Sequence, residues 1–342
     1  MTPFIRRREI TPHIVFSGAV SGSGKSAVCS ILSSLNRVEI RMIDHYYDDM
    51  CIVRYFDRIT EDAATAMLRN HADVACYYQM IGRHVNFRPT DATSVLSKRE
   101  IYEERMRLPD GPPTLERIRK EQPILHLAIH DVIGLTQPLF NAFGDRMTFI
   151  EIVRHPLQMV PHWCSFVDRY GQDPMEFQLC CDHRGRDIPF FAVSWAEEWR
   201  ESNRIDRTIR AFKFFRDLRS TFLESLEERF KKRFFTVSFE NFVHDPWPFI
   251  RKFEEILNTL STPLTKKILE EQKIPRGVLA NVPDHAHFKR YGTQSLQERG
   301  ITSDREALDK NWAFVRGEAS PECLRILESL SIEYEKTYGR VD

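Results

Sequence analysis

His13-Ile-Val-Phe-Ser17-Gly18-Ala19-Val-Ser21-Gly22-Ser23-Gly24-Lys25-Ser26 is the stretch that decides the fold of this 342-residue chain. His13–Ser17 reads as a buried strand, and Lys25 to Leu35 predicts a helix with Val28, Ile31, Leu32 and Leu35 on one face. A glycine-rich turn between strand and helix is the setting of a P-loop. There, backbone N–H groups at a helix N-terminus turn toward phosphate oxygens, a lysine adds a mobile positive charge, and a following serine supplies a hydroxyl. The pattern normally opens with glycine six residues before the lysine; that position is Ala19, with Gly18 one step early. The segment predicts binding of a phosphorylated nucleotide.

Outward from this segment, strand-like and helix-like stretches alternate, which predicts an α/β fold with a central parallel sheet of about five strands flanked by helices. Val38–Ile43, Ile124–His130, Met147–Val153 and Phe234–Phe239 read as the further strands, and Leu135–Phe143 as a helix. Ile205, Ile209, Phe212, Phe215, Leu218, Phe222 and Leu226 recur at helical spacing, the mark of a core-facing stripe. Asp245-Pro246 reads as an N-cap with proline at the first helical position, before a helix facing inward through Phe249, Phe253, Ile256 and Leu260. A last helix runs from Ser320-Pro321 to Gly339, with Leu324, Leu327 and Tyr334 inward. The whole chain, 1–342, reads as one domain with helical insertions at about 50–121 and 171–231, the first carrying substrate-side structure.

Composition narrows the function. Lys+Arg and Asp+Glu are each 49, so the net charge is zero, which argues against a duplex nucleic-acid binder and leaves room for a local basic pocket. No apolar run approaches the roughly 20 residues of a membrane span. The apolar run after Arg6-Arg7-Arg8 is too short for a signal peptide. Seven cysteines lie scattered without a CxxC pair; even the adjacent Cys180-Cys181 reads as buried or idle thiols. The expectation is a reduced, soluble, cytoplasmic protein of unassigned oligomeric state.

A second signal is Phe149-Ile-Glu-Ile-Val-Arg154-His155-Pro156. An arginine at the C-terminal end of a parallel strand sits where α/β sheets gather ligands, and its planar fork suits phosphate. The stretch Leu139 to Pro156 resembles the segment of sulfotransferases dependent on 3′-phosphoadenosine 5′-phosphosulfate (PAPS) that leads into their 3′-phosphate-binding arginine. Phe235-Thr-Val-Ser-Phe239-Glu240-Asn-Phe-Val-His-Asp245-Pro246 is similar to that family's strand, acidic residue and Asp-Pro, and Ile250–Leu257 to its amphipathic helix. Together with the P-loop these matches come in the family's order. The resemblance implies a PAPS donor whose 5′-phosphosulfate is held by Ser21, Gly22, Ser23, Gly24, Lys25 and Ser26, with Lys25 offsetting charge on the leaving phosphate. It implies Arg154 on the 3′-phosphate, Ser165 as the nearest serine for the family's serine contact (His162 stands at its usual position), and Lys289 and Arg290 as the basic loop. No metal is implied. The acceptor would be a carbohydrate or small-molecule hydroxyl.

The ending Gly24-Lys25-Ser26 is also that of kinases, which keeps an ATP- and magnesium-dependent small-molecule or nucleoside kinase as the alternative. Met42-Ile43-Asp44-His45-Tyr46-Tyr47-Asp48-Asp49 resembles both the aspartate-plus-tyrosines segment of uridine kinases and the acidic-base segment of carbohydrate sulfotransferases. Either reaction needs a base within reach of the acceptor hydroxyl. Asp44 or His45 is one candidate, His130 or Asp131 the other. Asp44 also reads as a helix N-cap, His130 as a strand-end histidine satisfied by backbone, and Asp131 as a magnesium-holding carboxylate in the kinase case. A nucleotide-binding protein that has lost its base is the third reading. Tyr46, Tyr47, Trp163, Trp195 and Trp199 could stack on a sugar, though packing is the commoner role of such rings.

Overall fold

The computed structural model describes residues 2–279 and 301–340. Its centre is a five-stranded parallel sheet: β1 (His13–Ala19), β2 (Met42–Ile43), β3 (Ile124–His130), β4 (Met147–Val153) and, after a separate hairpin, β7 (Phe234–Ser238), in the order β2-β3-β1-β4-β7. The α/β class and the central sheet are those predicted. β1, β3 and β4 are buried along nearly their whole length, as continuous apolar runs in a parallel sheet must be. Because all five strands run the same way, their C-terminal ends gather along one edge, and the site lies there.

The second strand is shorter than predicted. Only Met42–Ile43 joins the ladder, with Val38 making a lone bridge to Ile124. The intervening residues satisfy themselves through side chains: the buried Glu39 carboxylate accepts from Arg105 and from the Tyr102 hydroxyl (2.7 Å), and Arg41 N–H donates to Ser33 Oγ (3.0 Å). Gly18 is part of β1 and not of the phosphate loop. A Cβ there would lie 2.7 Å from the Phe149 ring, so the glycine serves strand packing.

Helices α1 (Lys25–Ser34), α2 (His45–Tyr55), α3 (Glu61–Met80), α4 (Arg99–Arg105), α5 (Pro112–Glu121) and α6 (Gln137–Phe143) precede β4; the region 50–121 carries α3, α4 and α5, with 81–94 running as turns between α3 and α4. After α7 (Pro156–Cys164), the stretch expected to open a helical insertion instead forms an antiparallel hairpin, β5 (Cys180–Asp182) with β6 (Asp187–Pro189); helix resumes at α8 (Ala196–Glu201) and α9 (Arg204–Ser225). Ile205, Ile209, Phe212, Phe215 and Phe222 of α9 are buried, as the stripe required. Beyond α10 (Glu228–Lys231) and α11 (Phe239–His244), α12 (Trp247–Leu257) starts one residue later than read, with Asp245 Oδ1 accepting the Trp247 N–H (3.3 Å). Its buried face is Ile250, Phe253 and Leu257, rotated from the predicted one; Leu260 lies past the helix and is exposed. The helices Pro263–Glu271 and Asp304–Glu318 follow. The last helix, Pro321–Tyr338, has the expected caps: Ser320 Oγ accepts the Cys323 N–H (3.3 Å), and Gly339 ends it at φ 95°. All seven cysteines are free thiols. Among the described residues no helix is long and apolar enough to cross a membrane.

Candidate functional site

The phosphate loop joins β1 to α1. Gly24 is the N-cap of α1 in a left-handed conformation (φ 82°) and offers no side-chain cap; the Ala27 N–H bonds back to the Gly24 carbonyl (3.1 Å), which leaves the Lys25 and Ser26 N–H groups for an anion. A Cβ on Gly24 would fall 2.2 Å from Phe239. Two of the loop serines are committed to holding its shape. Ser23 is buried and donates to the Val20 carbonyl (2.6 Å), while Ser21 donates its N–H (2.8 Å) and its hydroxyl (2.9 Å) to the Asp131 carboxylate. Ser26 is exposed. Lys25 Nζ donates to the Ile129 carbonyl (2.5 Å), and burial brings its pKa down to about 8 against the pull of Cys29, Asp48 and Asp131. Burial raises Asp131 to about 6, though its bonds from Ser21 and the charge of Lys25 work the other way.

Arg154 follows β4, beside the loop. Its Nη1 donates to the Gly22 carbonyl (3.0 Å), its guanidinium lies 4.9 Å from the centre of the Phe239 ring, and its buried Nε has no hydrogen-bond partner. Glu240 Oε1, 4.0 Å from that Nε, is already taken by the His155 N–H (3.1 Å), and the other oxygen accepts from Tyr334. Burial lowers the Arg154 pKa against the opposing charge of Glu240. A second buried guanidinium, Arg276, adds to this positive field. It donates to the Gln272 carbonyl (2.9 Å), has no carboxylate partner among the described residues, and is brought to about 10 by burial and then by the Arg154 charge. Two buried cations whose charges act on each other, answered chiefly by Glu240 and Asp304 at Arg154, are an arrangement suited to an anion.

The ends of β2 and β3 carry different chemistry. Asp44 is the N-cap of α2, accepting the Tyr46 N–H (3.1 Å), and its other oxygen lies 2.6 Å from His71 Nε2. Burial would raise its pKa, but the hydrogen bonds from His71 and Tyr46 outweigh that and lower it. One turn further, the buried Asp48 accepts the His130 N–H on Oδ1 (3.0 Å), and its Oδ2 is 3.5 Å from His45 Nδ1 and 3.7 Å from His130 Nδ1. The rings of His45 and His130 stack with centres 6.0 Å apart. Burial, then Lys25, lowers His130 to about 4, whereas Asp48 raises His45.

The sheet edge thus brings together Ser21–Ser26, Asp131 and Arg154 on one side and Asp44, His45 and His130 on the other. Ser165 is spent locally, donating to the His162 carbonyl (2.6 Å) at the end of α7. Lys289 and Arg290 lie outside the described residues. Trp163 is fully buried against Phe166, Phe191, Phe212 and Phe215, and Tyr47 is likewise core, so neither is a sugar platform. Sequence reading missed Asp48, His71 and Arg276. Asp48 had a signal, standing three residues after His45 and four after Asp44 on one helix; Arg276, a single basic residue in Pro-Arg-Gly, had none.

No protein-family profile matches the chain, and no curated protein matches it. Among solved structures it is similar to the sulfotransferase domain from the curacin biosynthetic pathway, at 14% identity over 94% of this chain and 98% of that one, with a TM-score of 0.46. It is also similar to the sulfotransferase domain of the Synechococcus PCC 7002 olefin synthase (13% identity, 92% and 98% covered, TM-score 0.40) and to sulfotransferase STF9 from Mycobacterium avium (11%, 91% and 78%, 0.37).

Proposed function

We propose that this protein transfers a sulfuryl group from PAPS to a hydroxyl of a carbohydrate or other small-molecule acceptor. The observation that carries the reading is Arg154, a buried guanidinium with an unsatisfied Nε at a strand end beside an open helix N-terminus, reinforced by Arg276. A donor with phosphate at both its 3′ and 5′ positions needs two such anion sites, and these residues fit it. When bound, the donor supplies a sulfuryl group on a phosphate leaving group. The α1 N-terminus and Lys25 would hold the 5′ end, with Lys25 leaving the Ile129 carbonyl to offset charge on the departing phosphate. Arg154 and Arg276 would hold the 3′-phosphate through charge-assisted hydrogen bonds. The acceptor would enter from the α2 and α3 side, where its hydroxyl proton has carboxylate- and imidazole-based acceptors within the pocket edge.

The kinase alternative draws on Gly24-Lys25-Ser26. Against it, the Asp131 carboxylate that would serve magnesium is clasped by Ser21. Thermal shift separates the two. A ligand at about 100 times its dissociation constant adds about 2.7 kcal/mol. We expect 3′,5′-bisphosphoadenosine to stabilise the protein and Arg154→Ala to abolish that shift. Stabilisation by magnesium-ATP alone would replace this reading with the kinase.

A further inference from the structure

We propose that Asp48 is the positioning residue of the acceptor side, and that through it His45, rather than His130, is the base toward the acceptor hydroxyl. This deepens the sulfuryl-transfer reading and rests on it.

Asp48 is buried and holds both ends of the arrangement. Oδ1 is fixed by the His130 backbone N–H at 3.0 Å, which leaves Oδ2 facing the Nδ1 atoms of His45 (3.5 Å) and His130 (3.7 Å). A ring that turns Nδ1 to a carboxylate keeps its proton there and leaves the Nε2 lone pair on the opposite edge, available to take a proton. Both separations are longer than a hydrogen bond, the loose pairing that tightens when substrate closes a site. The two rings therefore compete for one carboxylate, and their surroundings decide between them.

The side chain of His45 is 44% exposed and that of His130 27%, so His45 offers the more open edge. His130 faces the Lys25 ammonium and the His45 ring, both of which oppose its taking a proton. His45 faces Asp48, Asp49 and Asp44 on its own helix, His130 from β3 and the Phe177 ring at 6.1 Å. Asp48 itself lies within the field of Lys25 from α1. His71 from α3 is held by Asp44. A proton arriving on His45 is met by Asp48 and two further carboxylates, whereas one arriving on His130 is met by Asp48 alone and opposed by the Lys25 cation. In the step, the acceptor O–H proton passes to His45 Nε2 as the oxygen bonds to sulfur. The sulfur–oxygen bond to the 5′-phosphate breaks, its electron pair leaving with the bisphosphate. The His45 imidazolium stays paired with Asp48.

The test is a 15N histidine-ring titration by NMR on the full chain, wild type against Asp48→Asn and Asp48→Glu. We expect the His45 pKa to fall by about one unit in Asp48→Asn and to be partly restored in Asp48→Glu, with His130 neutral down to pH 5 throughout. A His45 pKa that Asp48→Asn leaves in place overturns the positioning role. Consumption of PAPS with water as acceptor is then followed across a pH series. His45→Gln is expected to lose roughly 100-fold, and Asp48→Asn to shift the acid limb of the pH profile down. His130→Gln losing more than His45→Gln would overturn the choice of base. The 3′,5′-bisphosphoadenosine thermal shift is measured on every variant. If the wild type shows none, the sulfuryl reading fails while the titration still judges the Asp48 pair.

Discussion

The two halves of the sheet edge solve different problems with different materials. At the ends of β1 and β4 the candidate groups are backbone N–H groups, Lys25 and Arg154, joined by Arg276 from beyond the helix Pro263–Glu271, each fixed by a close neighbour. Phe239 fills the space a Gly24 side chain would need and also underlies Arg154. At the ends of β2 and β3 the groups are carboxylate–imidazole pairs set on two helices, Asp44 with His71 and Asp48 with His45 and His130. Anion binding requires donors that are already in place, because every group ordered at the moment of binding subtracts from affinity. Proton transfer requires a pKa near the working pH, which buried carboxylates and imidazoles can set by their mutual distance. The strand ladder is uneven along the same edge: β1, β3 and β4 have seven residues each, while β2, at the outer side of the proposed acceptor half, has two.

If that division is real, a change confined to one half should leave the other intact. Gly24→Ala is the harshest test. It forces a left-handed residue to carry a Cβ that lies 2.2 Å from Phe239. The strain and the displaced ring should cost about 1–3 kcal/mol in stability, and stabilisation by 3′,5′-bisphosphoadenosine should vanish. The His45 titration should be unchanged. Asp44→Asn, on the other half, should cost no more than about 1 kcal/mol, since asparagine also caps well, and should leave bisphosphate binding as it was. Loss of bisphosphate binding in Asp44→Asn would break the division.

Next in size is Arg276→Ala. The guanidinium is buried, bonded only to backbone carbonyls among the described residues, and electrostatically strained against Arg154. Charge-assisted bonds to phosphate contribute about 1.5–3 kcal/mol, so its removal should weaken bisphosphate binding roughly 10- to 100-fold by calorimetry. Magnesium-ATP, lacking the 3′-phosphate, should be indifferent to the change. A Ser165→Ala variant should stay within about two-fold of wild type, because that hydroxyl is already given to the His162 carbonyl.

What the chain announces in advance follows the same line. The proposed donor half is written mostly in contiguous residues: a buried strand, a glycine-rich turn and a helix are each local, so β1, the loop and α1 appear where the sequence places them, as does Arg154 at its strand end, while Arg276 arrives from far along the chain and left no signal. The acceptor half depends on contacts across long separations. Asp44 reads as an N-cap and is one, yet its pairing with His71 bridges two helices. Asp48 was visible only as a spacing within one helix, and its hold on the His130 backbone could not be read from that. Val38–Ile43 looks like a strand because its residues alternate. What shortens it is a buried ion pair to Arg105, far along the chain. The rotated face of α12 is a smaller case, in which two overlapping apolar stripes are both compatible with the spacing and tertiary packing chooses between them.

The smallest expected effect concerns Asp131, the residue through which the two halves touch, since it directly follows β3 and clasps the phosphate loop. Its folded pKa of about 6 is above the ordinary carboxylate value of 3.8. The folded state therefore binds more protons than the unfolded one between about pH 4 and 6, and Asp131 lowers stability as pH rises through that window. His126 does the opposite. Buried on β3 between Ser17 Oγ (3.0 Å) and Ser33 Oγ (2.8 Å), it is lowered from 6.5 to about 3, chiefly by burial, so it lowers stability as pH falls below about 6.5. In the wild type the two slopes oppose each other. Asp131→Asn removes one of them, and urea unfolding should then show stability rising more steeply from pH 4.5 to 6.5, by up to about 1 kcal/mol per pH unit. His126→Gln should tilt the profile the other way. An Asp131→Asn protein whose pH profile matches wild type would mean that the carboxylate is ionised throughout, held by Ser21 and Lys25 more firmly than burial opposes it. Asp131 would then belong to the donor half alone, as a fixed anchor of the loop with no part in coupling it to the acceptor side.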